Sequence, residues 1–296
     1  MEVDRVVERL WPGREAMVER LGGGLTNHNF KVTVGAEAFV VRVAGKDTEL
    51  LGIDRRAEHG AALVAAEIGV GPEVVAFVES ENCLVTRFVD GEPIPAERMR
   101  EPVTIRRAAA VLRTVHDGPP VPGRFDSFRV VEAYLVTALA NGGREPAKYT
   151  RAKGTAAHVE RALGPRSYRP CHNDLLNANF LDDGDGIRIV DWEYAGMGDP
   201  FFDLANLSVN NGFGEDEDRT LLDAYGAAGP DPLARLTAMR FMSDFREAMW
   251  GVVQQSVSEL DFDFAGYADE HFARLEQTAE SARFRDALDR LSEKTS

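Results

Sequence analysis

The residue pattern changes at residues 90–95, and this change limits the fold more than any other feature of the sequence. The segment reads Asp-Gly-Glu-Pro-Ile-Pro, a cluster of turn-forming and strand-breaking residues. Short β-rich runs precede it, and longer helical patterns follow it. The sequence therefore predicts an α+β fold with a small β-rich N-terminal lobe, residues 1–90, and a larger helical C-terminal lobe, residues 91–296.

The N-terminal lobe is predicted to consist of strands around one helix. The predicted elements are a hairpin over residues 28–34 and 38–44, a helix over 54–68 and strands over 73–78 and 83–89. Apolar residues recur on one face of the helix, Asp54 can cap its start and Gly69 can end it.

The C-terminal lobe is predicted to be helical around a small β-rich island. Helices are expected over residues 104–116, 127–140 and 152–163 and over most of the chain after residue 202. Two short strands are expected over residues 179–181 and 187–190, joined by the turn Asp-Asp-Gly-Asp-Gly.

Three oxygen-bearing side chains stand at a spacing that indicates chemistry. His172, Asp174 and Asn179 form the pattern H-x-D-x-x-x-x-N, and Asp191 follows twelve residues later at the end of a predicted strand. Phosphoryl transfer from ATP needs a carboxylate that orients the attacking hydroxyl and accepts its proton, and hard oxygen ligands for Mg²⁺. Asp174 fits the first role, Asn179 and Asp191 fit the second, and His172 is expected to orient the loop. A turn held by side-chain hydrogen bonds is the alternative for the motif alone.

A glycine-rich segment precedes the predicted hairpin. Because glycines let backbone N–H groups approach phosphates closely, Gly23, Gly24, Thr26 and Asn27 are candidate nucleotide-binding residues. A flexible turn is the alternative for this segment.

Arg42 is a cation inside an apolar run of the second hairpin strand, and Glu58 lies beside the apolar stripe of the predicted helix. An ion pair between them would hold the guanidinium against the α- and β-phosphates of a nucleotide. Two unrelated surface charges are the alternative.

Composition excludes several classes of function. The 34 Lys and Arg residues against 49 Asp and Glu residues give a formal charge of −15, which repels nucleic-acid backbones. Two cysteines are too few for a disulfide framework or a zinc site. The N-terminus lacks the pattern of a signal peptide, and no stretch approaches the ~18 apolar residues of a membrane span. We therefore expect a cytoplasmic protein with no nucleic-acid partner and no membrane insertion.

These motifs together resemble the choline/ethanolamine kinase branch of the aminoglycoside phosphotransferase-like kinases. The match runs from about residue 20 to 275 and is strongest over residues 172–179 and over Asp-Trp-Glu-Tyr at 191–194. The resemblance implies a two-lobed protein-kinase-like fold that binds ATP and Mg²⁺ between its lobes.

The resemblance also implies roles for individual residues. Arg42 would stand where protein kinases use lysine, and the linker strand with Arg87 and Val89 would offer backbone hydrogen bonds to adenine. Asp199 and Asp203 would brace the metal-binding loop rather than touch substrate.

The acceptor implied by the resemblance is a small cationic amino alcohol. Carboxylates and aromatic faces bind such a head group, and the candidates here are Glu193, Tyr194, Glu247, Trp250 and Tyr267. The family commonly carries Trp-x-x-Trp, and Glu247 replaces the first of these tryptophans. A carboxylate one helical turn from Trp250 predicts a shift from choline toward ethanolamine or another primary amine. A solvent-facing Glu247 is the alternative.

The expected function is Mg²⁺-dependent transfer of the γ-phosphoryl group of ATP to the hydroxyl of that amino alcohol. An aminoglycoside or other antibiotic phosphotransferase is the closest enzymatic alternative, since its acceptors are also cationic. A nucleotide-binding pseudokinase is the alternative of another class, and it predicts the loss of Asp174, Asn179 or Asp191, all of which are present. A homodimer is kept as one option for the assembly.

Overall fold

The computed structural model describes residues 2–22 and 26–295. The elements of the small lobe are α1 (Glu2–Leu10), β1 (Ala16–Arg20), β2 (Asn27–Val34), β3 (Glu37–Ala44), a 3₁₀ turn (Thr48–Leu51), α2 (Arg55–Glu67), β4 (Val74–Val78), a second 3₁₀ turn (Glu79–Glu81) and β5 (Cys83–Arg87). Its strands form a five-stranded antiparallel sheet with the order β1-β2-β3-β5-β4. The predicted hairpin, helix and two further strands are confirmed.

The prediction of a single helix in this lobe is wrong, because α1 precedes the sheet. Val3 and Val6 of α1 are fully buried in one cluster with Val32 and Val41 of the sheet. A helix of 9 residues is marginal by itself, and packing on the sheet supplies its stability. Val3, Val6, Val7 and Leu10 recur at the spacing of one helix face, so the sequence carried a helical signal here that the prediction missed.

Helix α2 joins the small lobe to the segment that carries Asp191. The Asp54 side chain caps the helix by accepting hydrogen bonds from two N–H groups of its first turn, at 2.8 and 3.2 Å. Gly69 follows the helix at a φ of +75°, a conformation that favours glycine. The next carbonyl, that of Val70, accepts a hydrogen bond from the Ile189 N–H at 2.9 Å. This hydrogen bond connects the segment after α2 to the strand that ends two residues before Asp191.

The larger lobe is mostly helical, as predicted. Its elements are β6 (Glu92–Pro93), α3 (Ala96–Met99), α4 (Pro102–His116), α5 (Ser127–Ala140), α6 (Tyr149–Leu163), β7 (Arg169–Cys171), a 3₁₀ turn (Asn177–Asn179), β8 (Phe180–Asp182), β9 (Ile187–Ile189), β10 (Gly196–Gly198), α7 (Pro200–Asn210), α8 (Glu215–Tyr225), α9 (Pro232–Val257), α10 (Phe264–Glu280) and α11 (Ala282–Thr295). Strands β6, β8 and β9 form one small sheet, and β7 pairs with β10. The two-lobed α+β architecture is confirmed.

Helix α9, 26 residues long, is the centre of the larger lobe and packs against α5, α7, α10 and α11. Phe241, Phe245 and Met249 on this helix are fully buried. Because its middle is buried on several sides, the charged residues there need partners inside the protein. Over residues 2–22 and 26–295, no helix has the length and apolar character that crossing a membrane requires.

Candidate active site

His172 connects the two polar segments that the sequence analysis singled out. Its Nε2–H donates to the Val190 carbonyl at 3.0 Å, which assigns Nδ1 as the acceptor of the Asp174 N–H at 3.3 Å. Burial lowers the pKa of His172, which favours this neutral form. The ring therefore holds Asp174 in register with the segment that ends at Asp191, which is the orienting role expected from the sequence.

Asp203 of α7 fixes the backbone just before Asp174. Its Oδ2 accepts the His172 N–H at 2.8 Å, and its Oδ1 accepts the Asn173 N–H at 2.7 Å. His116 shares a further hydrogen bond with Oδ2 at 3.0 Å. Asn173 has a φ of +66°, a conformation that a non-glycine residue rarely adopts, so these bonds hold a strained loop.

This placement corrects the expectation that Asp199 and Asp203 brace the metal-binding loop. Asp203 braces the loop that carries Asp174, and Asp199 caps the start of α7 by accepting the Phe201 N–H at 3.0 Å. The resemblance gave both aspartates one bracing role, but only the fold shows which loop each of them contacts.

The carboxyl groups of Asp174 and Asp191 are both held less acidic than usual. Burial raises the pKa of Asp174 to about 8, although Arg246 acts in the opposite direction. Burial likewise raises the pKa of Asp191 to about 7, although Arg42 acts in the opposite direction. A cation that binds beside either group would favour its ionised form.

A cavity of about 340 Å³ lies between the lobes and brings the predicted nucleotide and metal residues together. Asn179 and Asp191 lie on one wall, Arg42 on another, and Arg87 and Val89 at the segment that joins the lobes. Leu21 and Gly22, at the edge of the glycine-rich segment, also line it. Gly23 and Gly24 lie outside the described residues.

The backbone of Arg87 is placed differently from the expectation. Its N–H donates to the Glu73 carbonyl at 2.8 Å inside the sheet, so this group is not available to adenine. Its guanidinium pairs with Glu37 and Glu73 on the surface of the sheet. The linker pattern in the sequence could not show which N–H groups the sheet uses.

Arg42 and Glu58 form the predicted ion pair, and Arg42 also pairs with Asp191. Arg55, which the sequence analysis missed, donates to Glu58 at 2.7 Å and to Glu193 at 3.2 Å. Burial opposes ionisation of Glu58, but these two guanidinium groups outweigh it and lower the pKa of Glu58. The network holds the Arg42 guanidinium at the cavity wall.

Glu193 faces the small lobe rather than the predicted aromatic pocket. Its two carboxylate oxygens accept hydrogen bonds from Thr26 Oγ1 at 2.7 Å and from Asn27 Nδ2 at 2.8 Å. Arg55 binds Asn27 Oδ1 at 2.8 Å and completes the cluster. The side chains of Thr26 and Asn27 thus connect the lobes and do not line the cavity described above.

The predicted acceptor residues other than Glu193 lie together. Trp250 Nε1 donates to the Tyr194 hydroxyl at 3.0 Å, and the Tyr267 hydroxyl donates to Glu247 at 2.7 Å. The ring centres of Trp250 and Tyr267 are 5.5 Å apart. Glu247 is only 3% exposed, which excludes the solvent-facing alternative.

Arg246 is the second functional residue that the sequence analysis missed. Its Nη1 donates to Asp174 Oδ1 at 3.3 Å and to Glu247 Oε1 at 2.5 Å. The guanidinium carbon lies 4.3 Å from the centre of the Tyr194 ring. The signal in the sequence was an Arg-Glu pair one turn before Trp250, inside an otherwise apolar stretch of helix.

Comparisons with known proteins agree with this geometry. The model of the phosphotransferase enzyme family matches residues 18–240. Ethanolamine kinase 2 of Rattus norvegicus is 27% identical in an alignment 294 residues long, which covers 87% of this chain and 75% of that protein. A structure of LicA in complex with AMP shares the fold, with a TM-score of 0.77 and 23% identity over 93% of this chain and 96% of that one.

A solved structure is more similar still. The crystal structure of a choline/ethanolamine kinase family protein from Mesorhizobium loti has a TM-score of 0.84 and 33% identity, covering 99% of this chain and all of that one. The family match spans both lobes and contains Arg42, Asp174, Asn179 and Asp191. The chain therefore belongs to the phosphotransferase enzyme family and, within it, to the choline/ethanolamine kinase family.

Proposed function

We propose that the protein transfers the γ-phosphoryl group of ATP to the hydroxyl of a small cationic amino alcohol of the choline or ethanolamine type. The observation that carries the proposal is that Asn179 and Asp191 line one cavity with Arg42 of the other lobe, while Asn179 bonds to the backbone of Asp174. In this scheme residues 1–90 are the nucleotide-binding lobe, and residues 91–296 are the catalytic and acceptor-binding lobe.

Asp174 is the proposed catalytic base. A carboxylate at this position orients the acceptor hydroxyl and accepts its proton as the oxygen attacks the γ-phosphorus. Arg246 bonds to one carboxylate oxygen, and its positive charge favours the ionised form that can accept a proton. His172 and Asp203 hold the loop, so the carboxylate is positioned before the acceptor arrives.

Asn179 and Asp191 are the proposed ligands of Mg²⁺, and their chemistry fits the ion. Both offer hard oxygen atoms, one neutral and one anionic, at the same cavity. The Asn179 amide nitrogen donates to the Asp174 carbonyl at 2.9 Å, which assigns the amide oxygen as the ligand atom. Mg²⁺ held by these residues would neutralise charge on the phosphates.

The small lobe is proposed to hold the rest of the nucleotide. Arg42, oriented by Glu58, contacts the phosphates, and the backbone of Val89 contacts adenine. The contacts of Gly23, Gly24, Thr26 and Asn27 with the nucleotide stay predictions. Arg87 is proposed to contribute only as part of the cavity wall.

The acceptor is proposed to lie among Tyr194, Trp250 and Tyr267, beside Asp174. Aromatic faces attract an ammonium group, and this cluster is joined to Asp174 through Arg246. Glu193 and Glu247 stay predicted acceptor contacts, although both carboxylates have partners inside the protein. A cytoplasmic location and a homodimer also stay predictions.

A coupled assay of ADP release, with MgATP and with choline, ethanolamine or kanamycin as acceptor, tests the proposal. Release that depends on choline or ethanolamine supports it. Release that depends on kanamycin alone favours the antibiotic phosphotransferase, and binding of ATP without release for any acceptor favours the pseudokinase. The Asp174→Asn variant is the control that separates transfer from contaminating ATPase activity.

A further inference from the structure

Arg246 places a built-in cation in the middle of the acceptor region. Its side chain is 2% exposed, lies on the face of Tyr194 and bonds to the carboxylates of Asp174 and Glu247. An aromatic face with an adjacent carboxylate is the arrangement that binds the cationic head group of a ligand. Arg246 therefore already supplies the positive charge that this arrangement attracts.

The buried carboxylates around Tyr194 are paired within the part of the chain that the structure describes. Glu247 accepts hydrogen bonds from Arg246 and Tyr267. Glu193 accepts hydrogen bonds from three residues of the small lobe, Thr26, Asn27 and Arg55. An acceptor whose only charge is positive would have to bind carboxylates that already have cationic partners inside the protein. Such an acceptor gains little from these carboxylates.

The guanidinium of Arg246 itself has unused donors. Its Nε and Nη2 atoms are buried and have no hydrogen-bond partner over residues 2–22 and 26–295. These two N–H groups lie on one edge of the guanidinium, and that edge matches the two oxygens of a carboxylate. Buried donors nearly always have partners in folded proteins, so this unpaired edge points to a ligand that accepts hydrogen bonds.

We propose that Arg246 is the specificity-determining residue of the acceptor site, and that the preferred acceptor carries a carboxylate in addition to its ammonium and hydroxyl groups. The carboxylate binds the Nε and Nη2 edge, the ammonium contacts Trp250 and Tyr267, and the hydroxyl faces Asp174. The transfer is that of the proposed function, on which this inference rests. The hydroxyl oxygen bonds to the γ-phosphorus, the bond to the ADP oxygen breaks, and the hydroxyl proton passes to Asp174.

Two pairs of acceptors that differ by one carboxylate test the inference. They are L-serine against ethanolamine and L-homoserine against 3-aminopropan-1-ol, and the two lengths guard against a misfit of chain length. For at least one pair, kcat/KM of the wild-type protein should be at least about tenfold higher with the carboxylate. A wild-type preference for the simple amino alcohol in both pairs would overturn the inference.

The Arg246→Met variant tests the assignment to this residue. Methionine fills similar volume but binds no carboxylate, so the preference should fall by at least about tenfold, mainly through a higher KM for the carboxylated acceptor. Arg274→Met is the matched control, because Arg274 is an arginine of α10 that pairs with a different carboxylate, Asp244 of α9, at 3.2 Å. It should leave the preference unchanged. A preference that stays within about threefold in Arg246→Met would contradict the assignment.

Two further results keep the test decisive. The double variant Arg246→Met/Glu247→Gln removes the charge of Glu247 together with that of its partner Arg246, and it should lose the preference in the same way if the single variant does not fold. Absence of ADP release with all four acceptors and with choline refutes the proposed function itself, whether or not kanamycin gives release. Release with a preference for simple amino alcohols refutes only the role of Arg246.

Discussion

Replacing Asp203 by asparagine is expected to destabilise the protein and to disturb the catalytic loop. The Asp203 carboxylate is fully buried and accepts the N–H groups of His172 and Asn173 at 2.8 and 2.7 Å. Asparagine has the same shape but one acceptor oxygen; with that oxygen in the place of Oδ2 it keeps the bonds to His172 and His116 and presents an NH₂ group to the Asn173 N–H. The change therefore acts on hydrogen bonding and charge without making a cavity.

The magnitude follows from these two bonds. Loss of one charge-assisted hydrogen bond costs about 1.5–3 kcal/mol, and a buried N–H left without an acceptor costs about 1–3 kcal/mol more. We expect the free energy of unfolding to fall by about 3–5 kcal/mol. Because Asn173 is held at a φ of +66°, the loop should also relax, and kcat should fall by about 100-fold with little change in the KM for ATP.

Urea unfolding and steady-state kinetics measure the two effects. Asp199→Asn is the matched control, since Asp199 caps the same helix and asparagine is an equally good cap. We expect the control to unfold within about 0.5 kcal/mol of the wild-type protein. If Asp203→Asn also stays within about 1 kcal/mol and keeps its kcat, the hydrogen bonds to Asp203 do not brace the loop.

Three further variants probe the catalytic groups. Asp174→Asn should lower turnover by about 10²–10⁴-fold while ATP binding, measured by calorimetry, stays largely intact; near wild-type turnover would remove Asp174 from the role of base. Asp191→Ala should be inactive at any attainable Mg²⁺ concentration, and full wild-type activity in EDTA would contradict the metal scheme. Burial lowers the pKa of His172, so below the unfolded-state pKa of about 6.5 the unfolded chain binds a proton that the folded chain excludes. The free energy of unfolding, measured with urea, should therefore fall as the pH drops below about 6.5, and it should fall less steeply in His172→Gln. An equal dependence on pH in both proteins would refute the contribution of His172.

The parts of the fold that depend on neighbouring residues could be predicted from the sequence. The cap of α2 by Asp54 and the hairpin of β2 and β3 rest on contacts within a few residues. The spacing of Asn179 and Asp191 identified two polar residues of the cavity, because the short strands between them leave little freedom in their arrangement. Local propensity and motif spacing were sufficient for these features.

The partners of buried charges could not be predicted, because they depend on contacts between distant segments. Arg246 lies 72 residues from Asp174, and Arg55 lies 138 residues from Glu193. The sequence shows that a charged residue lies in an apolar helix, and its burial implies that it has a partner. It does not show which residue that partner is. The orientation of Glu193 toward the small lobe was missed for the same reason.

Phosphoryl transfer to an amino alcohol is tested most directly by identifying the product by ³¹P NMR. The protein is incubated with MgATP and with each amino alcohol of the panel in turn. The proposed function predicts a new phosphomonoester signal, coupled to the acceptor's CH₂ protons and equal in amount to the ADP formed, which disappears in Asp174→Asn. Formation of inorganic phosphate alone, or no consumption of ATP with any amino alcohol, would contradict it.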